Sequence, residues 1–242
     1  MKARDFVRKY SKQTQDMIQS YGVEQAMSKT VGGNFEAIGI YEHCLLMHHG
    51  LRKDHRIIDV GCGSGRLAVQ LKDYLTGQFI GIDVVPELLE YAKKLCGRED
   101  WKFYIGPGLA IPEPEQSADF ISFFSVFTHL SHEDSYKYLQ DACRVIKPGG
   151  KIIFSFVDFT IPDHWSSFES YIAYDNPDKV LLEFISRDAI QAWADHLHVS
   201  AVEIHDGDKP YFTLDRPVHW DNGAVTSPTT VSFGQSVCVL TK

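Results

Sequence analysis

Long apolar runs are missing from this sequence, and none approaches the roughly 20 residues that a membrane-spanning helix needs. Residues 1–10 mix lysine, arginine and aspartate, and they lack the apolar core of a secretory signal. These absences argue against a membrane span and against export. We therefore expect a soluble, cytoplasmic protein that has no membrane partner.

Cysteines are few, and their spacing does not pair them. The five cysteines are an odd number, and no two of them have the C-x-x-C spacing of a zinc or redox site. We therefore expect reduced thiols, no disulfide framework and no bound metal.

Basic residues are outnumbered by acidic ones, 24 against 32, which gives a net charge of −8. Binding to a phosphate backbone draws on clustered lysine and arginine, so the charge balance argues against nucleic acid as a partner. A small molecule or a peptide fits better. With 242 residues and 44% hydrophobic composition, the chain is long enough to fold around one core. We predict a single domain over residues 1–242.

The stretch from Arg56 to Leu67 predicts a buried strand, a glycine turn and the start of a helix. Ile57, Ile58 and Val60 are β-branched residues, which a sheet that is buried on both faces favours. Three glycines follow at alternate positions, and an apolar helical pattern begins directly after them. So sharp a turn is expected to leave unpaired backbone N–H groups at the mouth of the helix, where glycine lets a ligand come close. The stretch therefore predicts a nucleotide-type binding site.

The spacing of the glycines separates two families that build such a site. The dinucleotide fingerprint is G-x-G-x-x-G, whereas these glycines stand at 61, 63 and 65, and Arg66 occupies the third dinucleotide position. The run Asp59-Val60-Gly61-Cys62-Gly63-Ser64-Gly65 instead resembles the first motif of the class I S-adenosylmethionine-dependent methyltransferases. The resemblance implies that the turn passes under the amino-acid end of S-adenosyl-L-methionine, which would require glycine at positions 63 and 65. The cofactor-binding residues that it implies here are Asp59, Gly61, Cys62, Gly63, Ser64, Gly65 and Arg66.

A second predicted strand, Gln78–Asp83, ends in an acid. In a Rossmann-like fold, the second strand presents a carboxylate to the ribose hydroxyls at this point. We therefore expect Asp83 and its neighbour Val84 to contact the cofactor. Because an apolar helix begins near Pro86, Asp83 can also serve as the N-cap of that helix.

The third predicted strand, Trp101–Ile105, is not followed by the acid that many methyltransferases place beside the adenine amino group. Position 107 is a proline, which offers neither a side-chain acceptor nor an N–H. We expect backbone groups and apolar contacts to hold the adenine, with Gly108 and Leu109 as the assigned residues.

The fourth predicted strand, Ser117–Ser125, leads into a loop that the resemblance places over the reacting groups. Phe124 and Ser125, at the end of this strand, are assigned as cofactor-binding residues. His129 in the loop is a candidate general base, because a neutral imidazole suits proton removal near neutral pH. The alternative is that His129 only anchors the loop to the backbone. His132, about one turn further on, is the weaker catalytic candidate.

Two segments lie outside the core pattern. Residues 1–34 carry a loose apolar stripe, which predicts N-terminal helices that either pack on the core or cover the cofactor as a lid. Residues 158–184 are aromatic-rich and too long for a plain link, which favours a substrate cap at the carboxyl ends of the strands. A flap that covers a sheet face would have the same composition.

The remaining pattern completes an α/β fold. A helix that Ser131 caps is broken by Lys147-Pro148-Gly149-Gly150 and followed by a strand at 152–157, an arrangement typical of these methyltransferases. A helix that Ser186 caps, a strand at 199–204, an irregular stretch and a last strand at 231–240 follow. We predict a Rossmann-like seven-stranded mixed sheet in the order 3-2-1-4-5-7-6, with strand 7 antiparallel and helices on both faces.

The resemblance implies methyl transfer from S-adenosylmethionine to an oxygen or nitrogen nucleophile of a small molecule or peptide. Such a displacement needs few chemical side chains, because the sulfonium is already a good leaving group and the protein mainly aligns the reactants. A non-catalytic S-adenosylmethionine-binding protein and a nicotinamide oxidoreductase remain as alternatives. The glycine spacing and the lack of a Tyr-x-x-x-Lys pair disfavour the oxidoreductase.

Overall fold

The computed structural model describes residues 3–176 and 179–242. Residues 1, 2, 177 and 178, which fall in the two segments predicted outside the core, lie outside the described residues. The helices are α1 (Ala3–Tyr21), α2 (Val23–Thr30), α3 (Phe35–His48), α4 (Arg66–Leu71), α5 (Pro86–Cys96), α6 (His132–Val145), α7 (Pro162–Ala173) and α8 (Arg187–Leu197). None of these described helices is long and apolar enough to cross a membrane.

The strands are β1 (Ile57–Val60), β2 (Phe79–Asp83), β3 (Lys102–Ile105), β4 (Ala118–Phe123), β5 (Ile146–Phe156), β6 (Ala201–His205), β7 (Phe212–Thr213), β8 (Val218–His219), β9 (Val225–Thr226), β10 (Thr230–Val231) and β11 (Ser236–Thr241). Seven of them form the main sheet, in the order β3-β2-β1-β4-β5-β11-β6. β1, β2 and β3 run parallel, as do β4 and β5. β11, the seventh strand of this sheet in chain order, is antiparallel to both of its neighbours. The predicted strand order and orientation are confirmed.

Close contacts divide the chain into two compact units. The glycine-turn unit consists of residues 7–105 and 210–231, and the β4-loop unit consists of residues 106–209 and 232–242 with the start of α1. Each unit is described below by itself. The prediction of a single domain over the whole chain stays a prediction.

In the glycine-turn unit, β1 and β2 are buried along their whole length. Their apolar, partly β-branched sequences are typical of parallel strands that are covered on both faces. Gly81 lies in the middle of β2, where an added Cβ would stand 2.7 Å from the Phe103 ring and 2.8 Å from the Cys62 sulfur. The unit is therefore packed too closely at this point for any side chain.

The N-terminal helices pack against this core. Met27 of α2 is buried in one cluster with Val85 and Leu88, and the Tyr10 hydroxyl donates a hydrogen bond to the Thr30 carbonyl at 3.0 Å. The predicted helices and their packing are confirmed for the described side chains from residue 7 onward. Their action as a lid stays a prediction.

The stretch predicted to be irregular, residues 206–228, instead contributes to two short antiparallel ribbons, β7 with β10 and β8 with β9. The last strand, predicted over 231–240, begins only at Ser236, because Val231 belongs to β10. The ribbons pack on α3, where the Tyr41 ring lies 5.8 Å from Phe212 and 5.4 Å from Trp220 between centroids. Asp221 and Asn34 also exchange two hydrogen bonds, of 2.6 and 3.1 Å, each from a backbone N–H to the other's side chain. Sequence periodicity missed these ribbons because strands of two residues show no alternation.

In the β4-loop unit, β5 begins six residues earlier than predicted, directly after α6. Ile146 pairs with Ala118 of β4, and the register shifts between Ala118 and Phe120. This shift keeps Lys147–Gly150 inside the strand rather than in a separate turn. Gly149 has φ 77°, and a Cβ on Gly150 would lie 3.0 Å from the Asp119 carbonyl oxygen. The two glycines therefore serve a bulged strand.

The predicted helix caps of this unit are confirmed. The Ser131 hydroxyl accepts the N–H of Asp134, and the Ser186 hydroxyl accepts the N–H of Ala189, each at 3.3 Å. Between these two helices, the aromatic segment folds as α7, and its end returns to β5 through a parallel bridge between Val157 and Phe184.

Candidate functional site

The turn after β1 places three glycines in left-handed backbone conformations. φ is 75° at Gly61, 52° at Gly63 and 88° at Gly65, values that residues with side chains rarely adopt. The N–H groups of Gly61 and Cys62 both donate to the Ile82 carbonyl, at 2.7 and 3.1 Å, and the Gly65 N–H donates to the Cys62 carbonyl at 3.0 Å. The turn therefore folds back on β2 and closes on itself.

Asp83, the last residue of β2, joins the glycine turn to α5. Its Oδ2 accepts the Gly63 N–H at 2.9 Å, and its Oδ1 accepts the Val85 N–H at 3.0 Å. The N-cap of α5 is Val85 rather than Asp83, so the predicted capping is wrong in position, and Asp83 supports the capping residue instead. Burial raises the pKa of Asp83, while the backbone hydrogen bonds oppose that rise. The Val84 N–H is a third backbone donor to this carboxylate, which can accept about four donors in all.

The prediction of unpaired N–H groups at this turn is wrong for four residues. Four backbone N–H groups of the turn donate hydrogen bonds within the protein, and they belong to Gly61, Cys62, Gly63 and Gly65. The tight turn returns its donors to β2 and to the acid beside it, so they are not available to an anion.

Two of the glycines are crowded by other parts of the same unit. A Cβ on Gly63 would stand 2.6 Å from the Val31 Cγ1 atom, and a Cβ on Gly65 would stand 2.8 Å from the Ala92 Cβ atom. Gly65 is thus needed for the packing of α5, whatever lies beside the turn. The sequence analysis expected glycine at position 65 because of the cofactor. Cofactor approach alone does not explain this glycine, since packing against α5 requires it as well.

The side chains of the turn point into the protein rather than outward. Cys62 is 5% exposed, and burial raises the pKa of its thiol well above the usual value. The Ser64 hydroxyl donates to the Met27 carbonyl at 2.8 Å. The N-terminal segment is therefore attached to the turn.

Arg66 makes a second attachment to that segment. Its Nε donates to Glu42 Oε1 at 2.7 Å, and its Nη1 donates to the Val31 carbonyl at 2.9 Å. Burial raises the pKa of Glu42, and the charge of Arg66 opposes this rise. The guanidinium is committed to these partners, and a direct contact with the cofactor stays a prediction, as it does for Ser64.

In the β4-loop unit, Ser125 follows β4 with a left-handed φ of 57°. Its N–H donates to the Ser155 hydroxyl at 2.7 Å, and its carbonyl accepts the Thr128 hydroxyl at 3.0 Å. Its own hydroxyl donates to Gln235 Oε1 at 3.3 Å. Such a conformation costs of order 1–3 kcal/mol in a residue with a side chain, and it persists only where the surroundings fix it. Three hydrogen bonds do so here.

The two predicted catalytic histidines both contact the end of the aromatic segment. His129 Nδ1 lies 2.8 Å from the Leu181 carbonyl oxygen, and His132 Nε2 lies 3.0 Å from that of Phe184. His132 Nε2 is also 3.2 Å from Glu183 Oε1. Burial lowers the pKa of His129, although the bond to Leu181 opposes this, so its imidazole is neutral near neutral pH. His129 thus contacts the backbone, as the anchoring alternative expects, and its role as general base stays a prediction.

The residues assigned to adenine lie after β3. The Gly108 carbonyl accepts the Tyr138 hydroxyl at 2.7 Å, and φ at Gly108 is 119°. Leu109 is half-buried. Their contact with adenine stays a prediction.

Comparison with known proteins finds similarity to methyltransferases over part of the chain. The family model described as methyltransferase domain matches residues 57–150. YcgJ of Bacillus subtilis, an uncharacterized methyltransferase, is 30% identical over 138 residues, which are 56% of this chain and 47% of that protein. The crystal structure of YcgJ has a TM-score of 0.57 at 20% identity and covers 84% of this chain and 99% of that chain. Part of this chain is thus similar to proteins named as methyltransferases, and the chain shares the fold of YcgJ.

A further relative of this chain is the sterol 24-C-methyltransferase of Pneumocystis carinii, which is 31% identical over 120 residues, or 48% of this chain and 31% of that protein. The chain thus spans less than half the length of the two curated relatives named here. The matched part contains all of the predicted site residues.

The structure brings predicted site residues together in two groups. In the glycine-turn unit, residues 59–66 and Asp83 are neighbours through the bonds described above. In the β4-loop unit, Phe124, Ser125 and His129 follow one strand. Sequence reasoning missed Ser155 and Gln235, which hold Ser125, because no motif marks them.

The glycine-turn unit fits S-adenosylmethionine in charge. Asp59 and Asp83 are buried carboxylates, 4% and 6% exposed, and the cofactor carries a sulfonium and an ammonium. The Asp83 oxygens are also acceptors of the kind that ribose hydroxyls require. The Tyr10 phenol is close enough to Asp83 for the two to interact, since burial first, and then the Asp83 charge, raise the pKa of Tyr10. A cationic nucleoside therefore suits this region better than an anionic one.

A group of metal-ligating side chains also occurs in this unit, at His43, Cys44 and Asp215. The Cys44 thiol donates to Asp215 at 3.3 Å, and burial raises its pKa to about 11. Arg216 Nε donates to the same carboxylate at 2.8 Å. A cation is thus already supplied by the protein, and the expected lack of a metal stays a prediction.

Proposed function

We propose that this protein transfers the methyl group of S-adenosylmethionine to an oxygen or nitrogen nucleophile of a small molecule or peptide. The observation that carries the proposal is the Asp83 carboxylate, which accepts the Gly63 N–H at 2.9 Å beside the glycine turn. This pair supplies a ribose-binding acid and a backbone turn in one place. The match to the methyltransferase domain over residues 57–150 supports it.

In this proposal, Asp83 accepts hydrogen bonds from the ribose hydroxyls, and the turn from Gly61 to Gly65 lies under the methionine end. Gly108 and Leu109 contact the adenine. The bound cofactor supplies an electrophilic methyl group on a sulfonium. The chain's own residues align the acceptor with that group and exclude water.

His129 is proposed to remove a proton from the acceptor. A carbonyl can only accept, so the bond to Leu181 requires the proton to stand on Nδ1 and leaves the lone pair on Nε2. The lowered pKa of His129 keeps its imidazole neutral, and Nε2 therefore unprotonated, at neutral pH. His132 is the weaker alternative, because its Nε2 already faces Phe184 and Glu183.

The cofactor assignment is tested by calorimetric titration of the purified protein with S-adenosylmethionine and, separately, with a nicotinamide dinucleotide. We expect only the first to bind. Asp83→Ala should weaken binding by about 10–100-fold, the loss of a hydrogen bond to a charged group. The native protein should bind a 2′-deoxy analogue less tightly than it binds the cofactor. Asp83→Ala should reduce the affinity for this analogue only slightly further. Equal affinity for native protein and variant would contradict the assignment.

The catalytic role is tested with methyl-labelled cofactor, once an acceptor has been found by screening for label transfer. His129→Ala should lose about 10²–10⁴-fold in rate and still bind S-adenosylmethionine. A product methylated on carbon, the atom that the name of the sterol 24-C-methyltransferase gives for that relative, would contradict the proposed nucleophile.

The surroundings of the reaction are also proposals. The free thiols of all five cysteines and the acidic balance of the chain support a cytoplasmic enzyme that acts on neither nucleic acid nor membrane.

A further inference from the structure

Gln235 directly precedes β11, and the strand register brings it to the edge of the sheet where β4 ends. Ser236, the first residue of β11, pairs with Phe156, the last residue of β5. Because β11 runs antiparallel to β5, its start lies at the carboxyl end of β5. β4 is parallel to β5, so Ser125 lies at this edge too. Ligands of open α/β sheets bind outside this edge.

The carboxamide of Gln235 has an unused donor. Its oxygen accepts the Ser125 hydroxyl at 3.3 Å. Within residues 3–176 and 179–242, no group accepts a hydrogen bond from its NH₂. Gln235 is half-buried, and its NH₂ group offers two N–H donors that a ligand at this edge can meet.

The backbone around Gln235 is fixed from both sides. The Gly234 carbonyl accepts His164 Nε2 at 2.8 Å, and the Gly234 N–H donates to the Gly207 carbonyl at 2.9 Å. The Gly207 N–H in turn donates to the Ser236 hydroxyl at 3.2 Å. A group held on so fixed a backbone loses little freedom on binding a ligand, which is what a specific recognition site requires.

Aromatic side chains adjoin both ends of the Ser125–Gln235 hydrogen bond in sequence. The rings of Phe124 and Phe233 lie 5.5 Å apart between centroids, at 39° to each other. Phe124 is buried, whereas Phe233 is half-buried and retains accessible surface. A planar apolar surface thus lies near a free N–H donor, and the two together suit a ring that carries an oxygen atom.

We infer that Gln235 and Phe233 form a binding site for the methyl acceptor, and that this acceptor is an aromatic small molecule bearing an oxygen. The oxygen accepts a hydrogen bond from the Gln235 NH₂ group, and the ring packs on Phe233. The inference rests on the proposed function and narrows its acceptor to one class.

The test uses two probes that differ by a single oxygen, acetophenone and ethylbenzene, with the full chain saturated with S-adenosylmethionine. Ligand-observed NMR titration should show that the native protein prefers acetophenone. The preference should fall by about 5–10-fold in Gln235→Leu, the value of one neutral hydrogen bond. Gln235→Glu, which keeps the oxygen that Ser125 contacts and loses the donor, should show the same loss. Gln191→Leu, in which an exposed glutamine of α8 is changed, should keep the native preference.

The inference is overturned if the native protein does not distinguish the probes, if it binds neither, or if the Gln235 variants keep its preference. Calorimetric titration with S-adenosylmethionine separates this failure from failure of the proposed function. Variants that bind the cofactor normally and keep the preference would refute the acceptor site alone. A native protein that does not bind the cofactor would refute the proposed function.

Discussion

The glycine turn after β1 and the loop after β4 both follow a buried strand and both contain left-handed residues, but they are held in different ways. The turn uses glycine at each left-handed position and closes on β2 through backbone bonds and Asp83. The loop uses a serine, which side chains 30 and 110 residues away hold in place. The first region is thus fixed by backbone geometry, and the second by side-chain chemistry.

This difference suits a division between a constant and a variable partner. A region built on backbone and glycine tolerates few substitutions, as a shared cofactor requires. A region held by hydroxyls and a carboxamide can change with single substitutions, as differing acceptors require. The following experiments test whether the two regions respond to substitution as this contrast expects.

The largest effect is expected at Gly65. Gly65→Val should destabilise the protein by about 4 kcal/mol, because overpacking against Ala92 adds to the strain of a left-handed side chain. Urea unfolding measures the loss. Gly97→Val is the matched control, since Gly97 has φ +63° and nothing within 4 Å of an added Cβ. Equal losses in the two variants would show that crowding at Gly65 is unimportant.

The next effect concerns the attachment of the turn to α3. Arg66→Met leaves Glu42 buried without its partner, and we expect a loss of about 3 kcal/mol. Arg52→Met, which breaks the exposed pair with Asp54, should change stability by less than about 1 kcal/mol. Thermal and urea unfolding compare them. If the losses of stability from Glu42→Gln and Arg66→Met simply added in the double variant, the two residues would not be coupled.

A smaller effect is expected in the loop after β4. Ser155→Ala removes the acceptor of the Ser125 N–H, and we expect a loss of about 1–2 kcal/mol. Ser166→Ala removes an exposed hydroxyl that contacts its own helix and should be nearly neutral. Left-handed Ser125 should also become more mobile in the first variant, which amide hydrogen exchange detects. Unchanged exchange at Ser125 would mean that Ser155 does not hold the loop.

The smallest effect is a pH dependence from His129. Burial lowers its pKa in the folded state, so the unfolded state takes up the proton first. Stability should fall as the pH drops through the unfolded value of about 6.5. His129→Gln, whose amide can still donate to Leu181, should show a smaller fall in urea unfolding measured on both sides of that pH. A parallel pH dependence in the two proteins would contradict the buried, neutral histidine.

Local patterns predicted the fold around the glycine turn well and the tertiary contacts of the candidate site poorly. The strand, the glycine turn and Asp83 could be identified because β-branched runs, glycine spacing and strand ends are local features. The paired N–H groups were not foreseen, since the return of the turn to β2 is a tertiary contact. Three hydrogen bonds between distant residues were not foreseen either. They join Arg66 to Glu42, His129 to Leu181 and Ser125 to Gln235, over 24, 52 and 110 residues. No periodicity reports on contacts of that range.

The discontinuity of the glycine-turn unit has a consequence for synthesis on the ribosome. Residues 210–231, whose ribbons pack on α3, follow the rest of that unit only after residues 106–209 have been made. At about 5–20 residues per second, those 104 residues take on the order of 5–20 s to translate. During that interval, Tyr41 lacks the two rings that later cover it. The nascent chain therefore carries an uncovered aromatic patch for many seconds, and it is at this stage that we expect chaperones to bind it.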